Sequence, residues 1–181
     1  MNFPITIDNG HGEILCFKEL VQENDTDKLI MESRLLPGCG QLMHVHFKQD
    51  EHFQIVKGVM SFQTPGNNII RLTEGMSVSF LRNQPHRFWN SGKEDLVLSS
   101  WISPAHNTVF FLSALYASEK PRKKAGPALF DGAYLTMKYK SEYANLSMPE
   151  SATNLIMPIT YFLGKLLGKY RKFNTAPEPV K

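Results

Sequence analysis

Short runs rich in β-branched, aromatic and aliphatic residues fill the first hundred positions of the chain. They are Glu13–Val21, Lys28–Leu36, Leu42–Phe47, His52–Lys57, Val59–Thr64, Ile69–Leu72, Ser77–Phe80, Arg87–Trp89 and Leu96–Ile102. Turn signals separate them: Pro37-Gly38, Lys57-Gly58, Thr64-Pro65-Gly66-Asn67-Asn68, Glu74-Gly75 and Asn90-Ser91-Gly92. Many short strands at this spacing predict an antiparallel sandwich or barrel.

After Pro104 the period changes. Asn107–Ser118 reads as a helix that is apolar on most faces, as expected of a buried or interface helix. Pro121–Gly126 reads as a basic linker, and Pro127 opens a second helix running to about Leu146, with Gly132 inside it. A third helix is expected from near Pro158 to about Lys172. Leu155, Ile159, Leu163 and Leu167 recur along it every four residues, with Lys165, Lys169 and Lys172 on another face. This amphipathic stripe is expected to dock on the barrel or on a second subunit rather than to adsorb to an anionic membrane surface. The organisation predicted is a barrel over residues 1–103, a helical extension over 104–173 and a frayed tail over 174–181.

Composition narrows the function classes. At 181 residues, 42% hydrophobic and 20% charged, the chain is long enough for one domain with a real core. A net charge of +3, without a Lys/Arg run interleaved with aromatics, argues against nucleic acid as a partner. Two cysteines, Cys16 and Cys39, are too few for a disulfide framework. The first residues lack a charged segment followed by an apolar one. The expectation is a cytoplasmic protein with reduced thiols and no spanning helix.

The candidate chemistry lies in one stretch. His44 and His46 are two apart, so a strand aims both imidazoles to one side. Glu51, at the start of the next strand, reaches that space across a short turn, and His86 on a further strand supplies a third imidazole. Three histidines and one carboxylate suit a mid-row divalent metal such as Fe, Mn, Ni, Cu or Zn, with coordination positions left open. Glu51 is also the candidate general base. His52 should face the opposite way.

These residues resemble the cupin superfamily. Gly38, His44, His46, Glu51 and Gly58 fit its first motif, G-x5-H-x-H-x4-E-x6-G, at every fixed position. Gly75, His86 and Asn90 fit the second, G-x5-P-x-G-x2-H-x3-N, while Leu81 stands at its proline and Asn83 at its glycine. Asn tolerates positive φ better than most residues, so that turn is expected to survive. The resemblance covers residues 28–102. It implies a mainly β, double-stranded β-helix (jelly-roll) barrel, followed here by about three helices. It also implies His44, His46, Glu51 and His86 as ligands to one divalent transition metal per chain, and a homodimer.

Strand alternation then names the surroundings. Leu42 should share the face of His44 and His46, Phe53 and Ile55 that of Glu51, and Phe88 that of His86, with Met60 and Phe62 facing them. So apolar a lining favours a small hydrophobic or aromatic ligand over a sugar phosphate. The reading is a metal-binding cupin, either a metal-dependent dioxygenase or a non-catalytic small-molecule-binding or sensing module.

Overall fold

The computed structural model describes residues 2–181. Its first half folds into ten strands: β1 (Ile5–Asp8), β2 (Glu13–Glu23), β3 (Thr26–Leu35), β4 (Gly40–His46), β5 (Asp50–Lys57), β6 (Val59–Gln63), β7 (Ile70–Thr73), β8 (Ser77–Phe80), β9 (His86–Asn90) and β10 (Leu96–Ser103). The remainder supplies α1 (Thr108–Glu119), α2 (Leu129–Lys138), β11 (Tyr143–Asn145) and α3 (Met157–Leu166). The strands form two antiparallel sheets, ordered β1-β2-β3-β10-β5-β8 and β11-β4-β9-β6-β7. This is an antiparallel arrangement of the kind the strand spacing predicts, in the jelly-roll form that the resemblance implies.

One face of the larger sheet is buried and mostly apolar, because its strands alternate. On β10, Leu96, Leu98, Ser100 and Ile102 are buried and the residues between them are not. Two clusters share that face. Leu35, Leu96, Leu98 and Ile55 pack against Met60, Phe62, Leu72 and Phe88 of the smaller sheet. Leu29, Met31, Phe17 and Ile102 pack instead under α1, through Tyr116, Val109 and Leu112. The buried polar residues Glu51, Ser100, Ser33 and Glu13 lie on the same strands as these clusters.

The second half departs from the sequence reading in four places. The helix expected to reach Leu146 stops at Lys138, and the chain returns as β11 on the free edge of β4. Pairing Tyr143 with His46 and Asn145 with His44 covers an edge strand, which outweighs a weak helical preference. The third helix begins earlier, with a π-helical turn at Ala152–Ile156, and ends at Leu166 rather than near Lys172. Gly168 takes φ +65° just after it, and Lys169 N–H bonds back to Gly164 O at 2.9 Å, closing the helix end.

The tail is tied down rather than frayed. Val180 N–H donates to Glu142 Oε1 at 2.9 Å, Tyr139 Oη donates to Pro177 O at 2.8 Å, and Ser141 Oγ donates to Val180 O at 2.7 Å. Finally, the apolar stripe of α3 does not dock on the barrel. α3 packs on α2, with Thr160 and Gly164 as its buried residues. A Cβ at Gly164 would sit 2.3 Å from the Tyr170 ring, so a glycine is needed for that approach. No helix among the described residues is long and apolar enough to cross a membrane.

Candidate metal centre

Three neighbouring strands build the site. β4 carries His44 and His46, β9 beside it carries His86, and β5 of the opposite sheet carries Glu51. The strand register sets His44 against His86 directly. One ligand atom from each of the four residues lies within 4.8 Å of every other. His44 Nε2 is 3.1 Å from His46 Nε2, His86 Nε2 is 3.0 Å from Glu51 Oε2, and His46 Nε2 is 3.6 Å from the same oxygen. Two donors each about 2.1 Å from one ion would be separated by about 3.0 Å at a right angle and about 3.4 Å at a tetrahedral angle. The four residues therefore fit one metal ion.

The backbone orients the rings. His44 Nδ1–H donates to Leu42 O at 2.7 Å and His86 Nδ1–H to Gln84 O at 3.0 Å. Each bond occupies Nδ1 and turns Nε2 to the centre, the usual outer support of a metal-binding histidine. Burial holds His44 far below the usual histidine range, at about 3, with His46 and His86 adding repulsion. Burial lowers His46 as well, although Glu51 pulls it the other way. Burial pushes the Glu51 carboxyl up, but His46, His86 and His44 together bring it down to about 2. A neutral His44 and His46 and an ionised Glu51 are the donor states that a divalent ion requires.

The turn before His86 is built for this task. Asn83 takes φ +65°, the conformation its motif position calls for, and its N–H donates to His46 O at 2.7 Å. Arg82 clamps Asp50 through backbone N–H (2.8 Å), Nε (3.2 Å) and Nη2 (2.9 Å). The turn survives the loss of proline at Leu81 because these bonds restrain it instead.

Of the side chains expected around the centre, Phe53, Ile55, Met60, Phe62 and Phe88 are buried in the barrel core. Leu42 is not among them. It is 64% exposed, because a bulge in β4 between Gln41 and His44 breaks the alternation. The bulge places Gln41, opposite Phe88, on the face expected of Leu42. His52 faces away, with Nδ1 2.8 Å from Ser79 Oγ and its ring stacked on Trp101.

Several neighbours escaped the sequence reading. Phe80 lies flat on His86, centroids 3.9 Å apart and planes 2° from parallel, and joins that ligand to Phe53 and Phe62. Tyr143 of β11 meets His46 edge-on at 5.3 Å, while its hydroxyl accepts from Gln49 Nε2 at 3.0 Å and lies 3.0 Å from Thr108 Oγ1. Glu142, fully buried next to it, accepts from Asn107 Nδ2 at 2.7 Å and from Val180 N–H. Among the described residues His46 Nδ1 and Gln49 Oε1 are both buried without a partner.

Glu13 is a further buried carboxyl, on the inward face of β2 with Leu15 and Phe17. Burial pushes it up to about 7, with Glu119 and Glu51 adding repulsion and Tyr116 and Gln41 pulling it back. The Tyr116 hydroxyl beside it is buried and has no hydrogen-bond partner among the described residues.

A double-stranded β-helix holding three histidines and one glutamate is a protein class in its own right, and comparison with known proteins agrees. Residues 31–102 match the family model described as a cupin domain. The barrel region of this chain is a cupin. Oxidoreductase iacF of Pestalotiopsis fici is 31% identical over 80 residues, 42% of this chain and 39% of the relative. Probable oxidoreductase virH of Hypocrea virens is 25% identical over 95 residues, 48% of this chain and 43% of the relative. The chain thus spans less than half the length of either. The structure of KdgF from Halomonas sp. superposes with a TM-score of 0.51 at 17% identity, over 60% of this chain and 99% of that one. That likeness concerns the fold alone.

Proposed function

We propose that the protein is a metal-dependent oxidoreductase of the dioxygenase type, acting on a small hydrophobic or aromatic organic substrate. The observation that carries this reading is the convergence of His44, His46, Glu51 and His86 within 4.8 Å. The oxidoreductase names of the two curated relatives support it. When bound, a divalent transition metal supplies Lewis acidity and open positions for the substrate's oxygen atoms and for O₂. His44 and His86, held by Leu42 O and Gln84 O, fix the direction of the donor atoms. Glu51 contributes the balancing negative charge and is the base placed to take a substrate proton at Oε2. Phe80, Phe53 and Phe88, all buried, exclude water from the flank of His86.

One observation favours a second reading, a non-catalytic binding or sensing module. Phe53, Ile55, Met60, Phe62 and Phe88 pack on one another as a closed core. Oxygen uptake separates the two readings. Metal-loaded protein is offered diketones, flavonols and catechols in an oxygen electrode, with His46→Ala as control. Uptake with one class, absent in the variant, supports the enzyme. Tight calorimetric binding without uptake supports the module.

A further inference from the structure

The outer face of α3 reverses the usual order of a surface helix. Its small residues Thr160 and Gly164 turn inward. Its large apolar residues Leu155, Ile159, Phe162, Leu163, Leu166 and Leu167 turn outward, with Phe162 61% and Leu166 68% exposed. On α3 itself, at 3.6 residues per turn, Ile159, Phe162, Leu163 and Leu166 occupy an arc of about 100°, with Leu155 in the π-helical turn before it and Leu167 just beyond its end. So wide an apolar stripe on an ordered helix marks a binding surface rather than scatter.

Charge identifies the partner. From residue 151 to 173 the chain has no Asp or Glu and four cations, Lys165, Lys169, Arg171 and Lys172. Lys172 is paired with Asp131 at 2.6 Å. Among the described residues, Lys165, Lys169 and Arg171 have no carboxylate within 4 Å. Lys165 lies over the Tyr161 ring at 5.3 Å and Lys169 over the Phe130 ring at 5.9 Å, stems along apolar surface and heads outward. Beside the stripe a cavity of about 600 Å³ is lined by Lys165 and Arg171 together with Tyr134, Tyr161 and Tyr170, and by Lys138 and Glu178, which pair with each other at 3.0 Å. A second copy docked by two-fold symmetry would set this acid-free segment against itself and double its positive charge. An anionic lipid surface offers the complement of both features, acyl chains for the stripe and phosphates for the cations.

We propose that α3 docks the protein on an anionic lipid surface, its stripe immersed in the interface plane and a headgroup phosphate seated at the mouth of the cavity between Lys165 and Arg171. The helix lies on the bilayer and does not cross it. Binding draws on immersed apolar area and on attraction to anionic headgroups, so it should weaken with salt. The proposal is independent of the metal centre.

Vesicle flotation of the full chain tests it, with phosphatidylcholine alone and with phosphatidylcholine mixed with phosphatidylglycerol. Partition should be at least about tenfold stronger with the anionic vesicles and should fall as salt is raised. The double variant Phe162→Asp/Leu166→Asp should lose binding to both. Lys165→Glu/Lys169→Glu should lose the preference for anionic lipid. Both pairs are surface changes, so circular dichroism should be unaltered. The proposal is overturned by absence of partition into either vesicle, or by equal partition into both. It is also overturned if light scattering shows a dimer that Phe162→Asp/Leu166→Asp converts to monomer, which assigns the stripe to a second copy.

Discussion

The barrel and the helical extension break opposite rules. Inside the barrel, ionisable groups are buried: Glu51 and His86 within the ligand cluster and Glu13 on β2. On the extension, large apolar side chains are exposed along α3. Burying an ionisable group costs free energy unless something pairs with it, and exposing an apolar stripe costs free energy unless something covers it. Each region thus points to what it lacks by itself, the barrel to a cation and the extension to an apolar surface. The two meet at β11, where Tyr143 of the extension touches His46 of the barrel.

Four substitutions would break or sharpen that contrast. The largest effect is expected from Phe80→Ala. The ring is fully buried, stacked on His86 and packed edge-on against Phe62. Its loss should cost about 3–5 kcal/mol in urea denaturation. A cost near zero would mean that the barrel core does not support the ligand.

Glu13→Gln should stabilise, in a pH-dependent way. The folded carboxyl titrates at about 7 against an ordinary value of 4.5. Below the ordinary value both states are protonated, and the native carboxyl carries no penalty. As pH rises from there through about 7, the unfolded state loses its proton first and the folded state loses stability. The variant should therefore match the parent near pH 4 and exceed it by about 3 kcal/mol above pH 8. Equal stability at both pH values would show that Glu13 is not desolvated.

Tyr143→Phe keeps the ring against His46 and removes the hydroxyl between Gln49 and Thr108. Stability should fall by about 1–2 kcal/mol with metal content unchanged. Loss of the metal would show that the extension's hydrogen bonds, and not only its packing, hold the centre. The smallest effect belongs to Leu42→Ala. Because Leu42 is exposed, thermal unfolding should shift by no more than about 0.5 kcal/mol in stability. A loss of about 2 kcal/mol or more would restore it to the barrel interior.

What the sequence revealed follows from the range of the forces involved. The ligands were legible because period two is local: His44 and His46 share a face whatever the rest of the chain does. The turn glycines and Asn83 were legible because positive φ restricts residue type. The same logic failed at Leu42, where a bulge shifts the phase by one residue and leaves no composition signal. Glu13 was readable in principle, since alternation groups it with Leu15 and Phe17. β11 was not, because its strand exists only by pairing with β4, about a hundred residues earlier in sequence. The tail misled for a similar reason. Pro177 and Pro179 suit a frayed end, yet bonds to Glu142, Tyr139 and Ser141 hold it.

The central claim is that four side chains hold one metal. Elemental analysis of untagged protein, purified without chelator and then offered Fe, Mn, Ni, Cu and Zn salts in turn, tests it most directly. The account predicts one equivalent of a divalent metal per chain, and its loss in His46→Ala with circular dichroism unchanged. Folded parent protein that takes up no metal, or a His46→Ala variant that keeps a full equivalent, would contradict it.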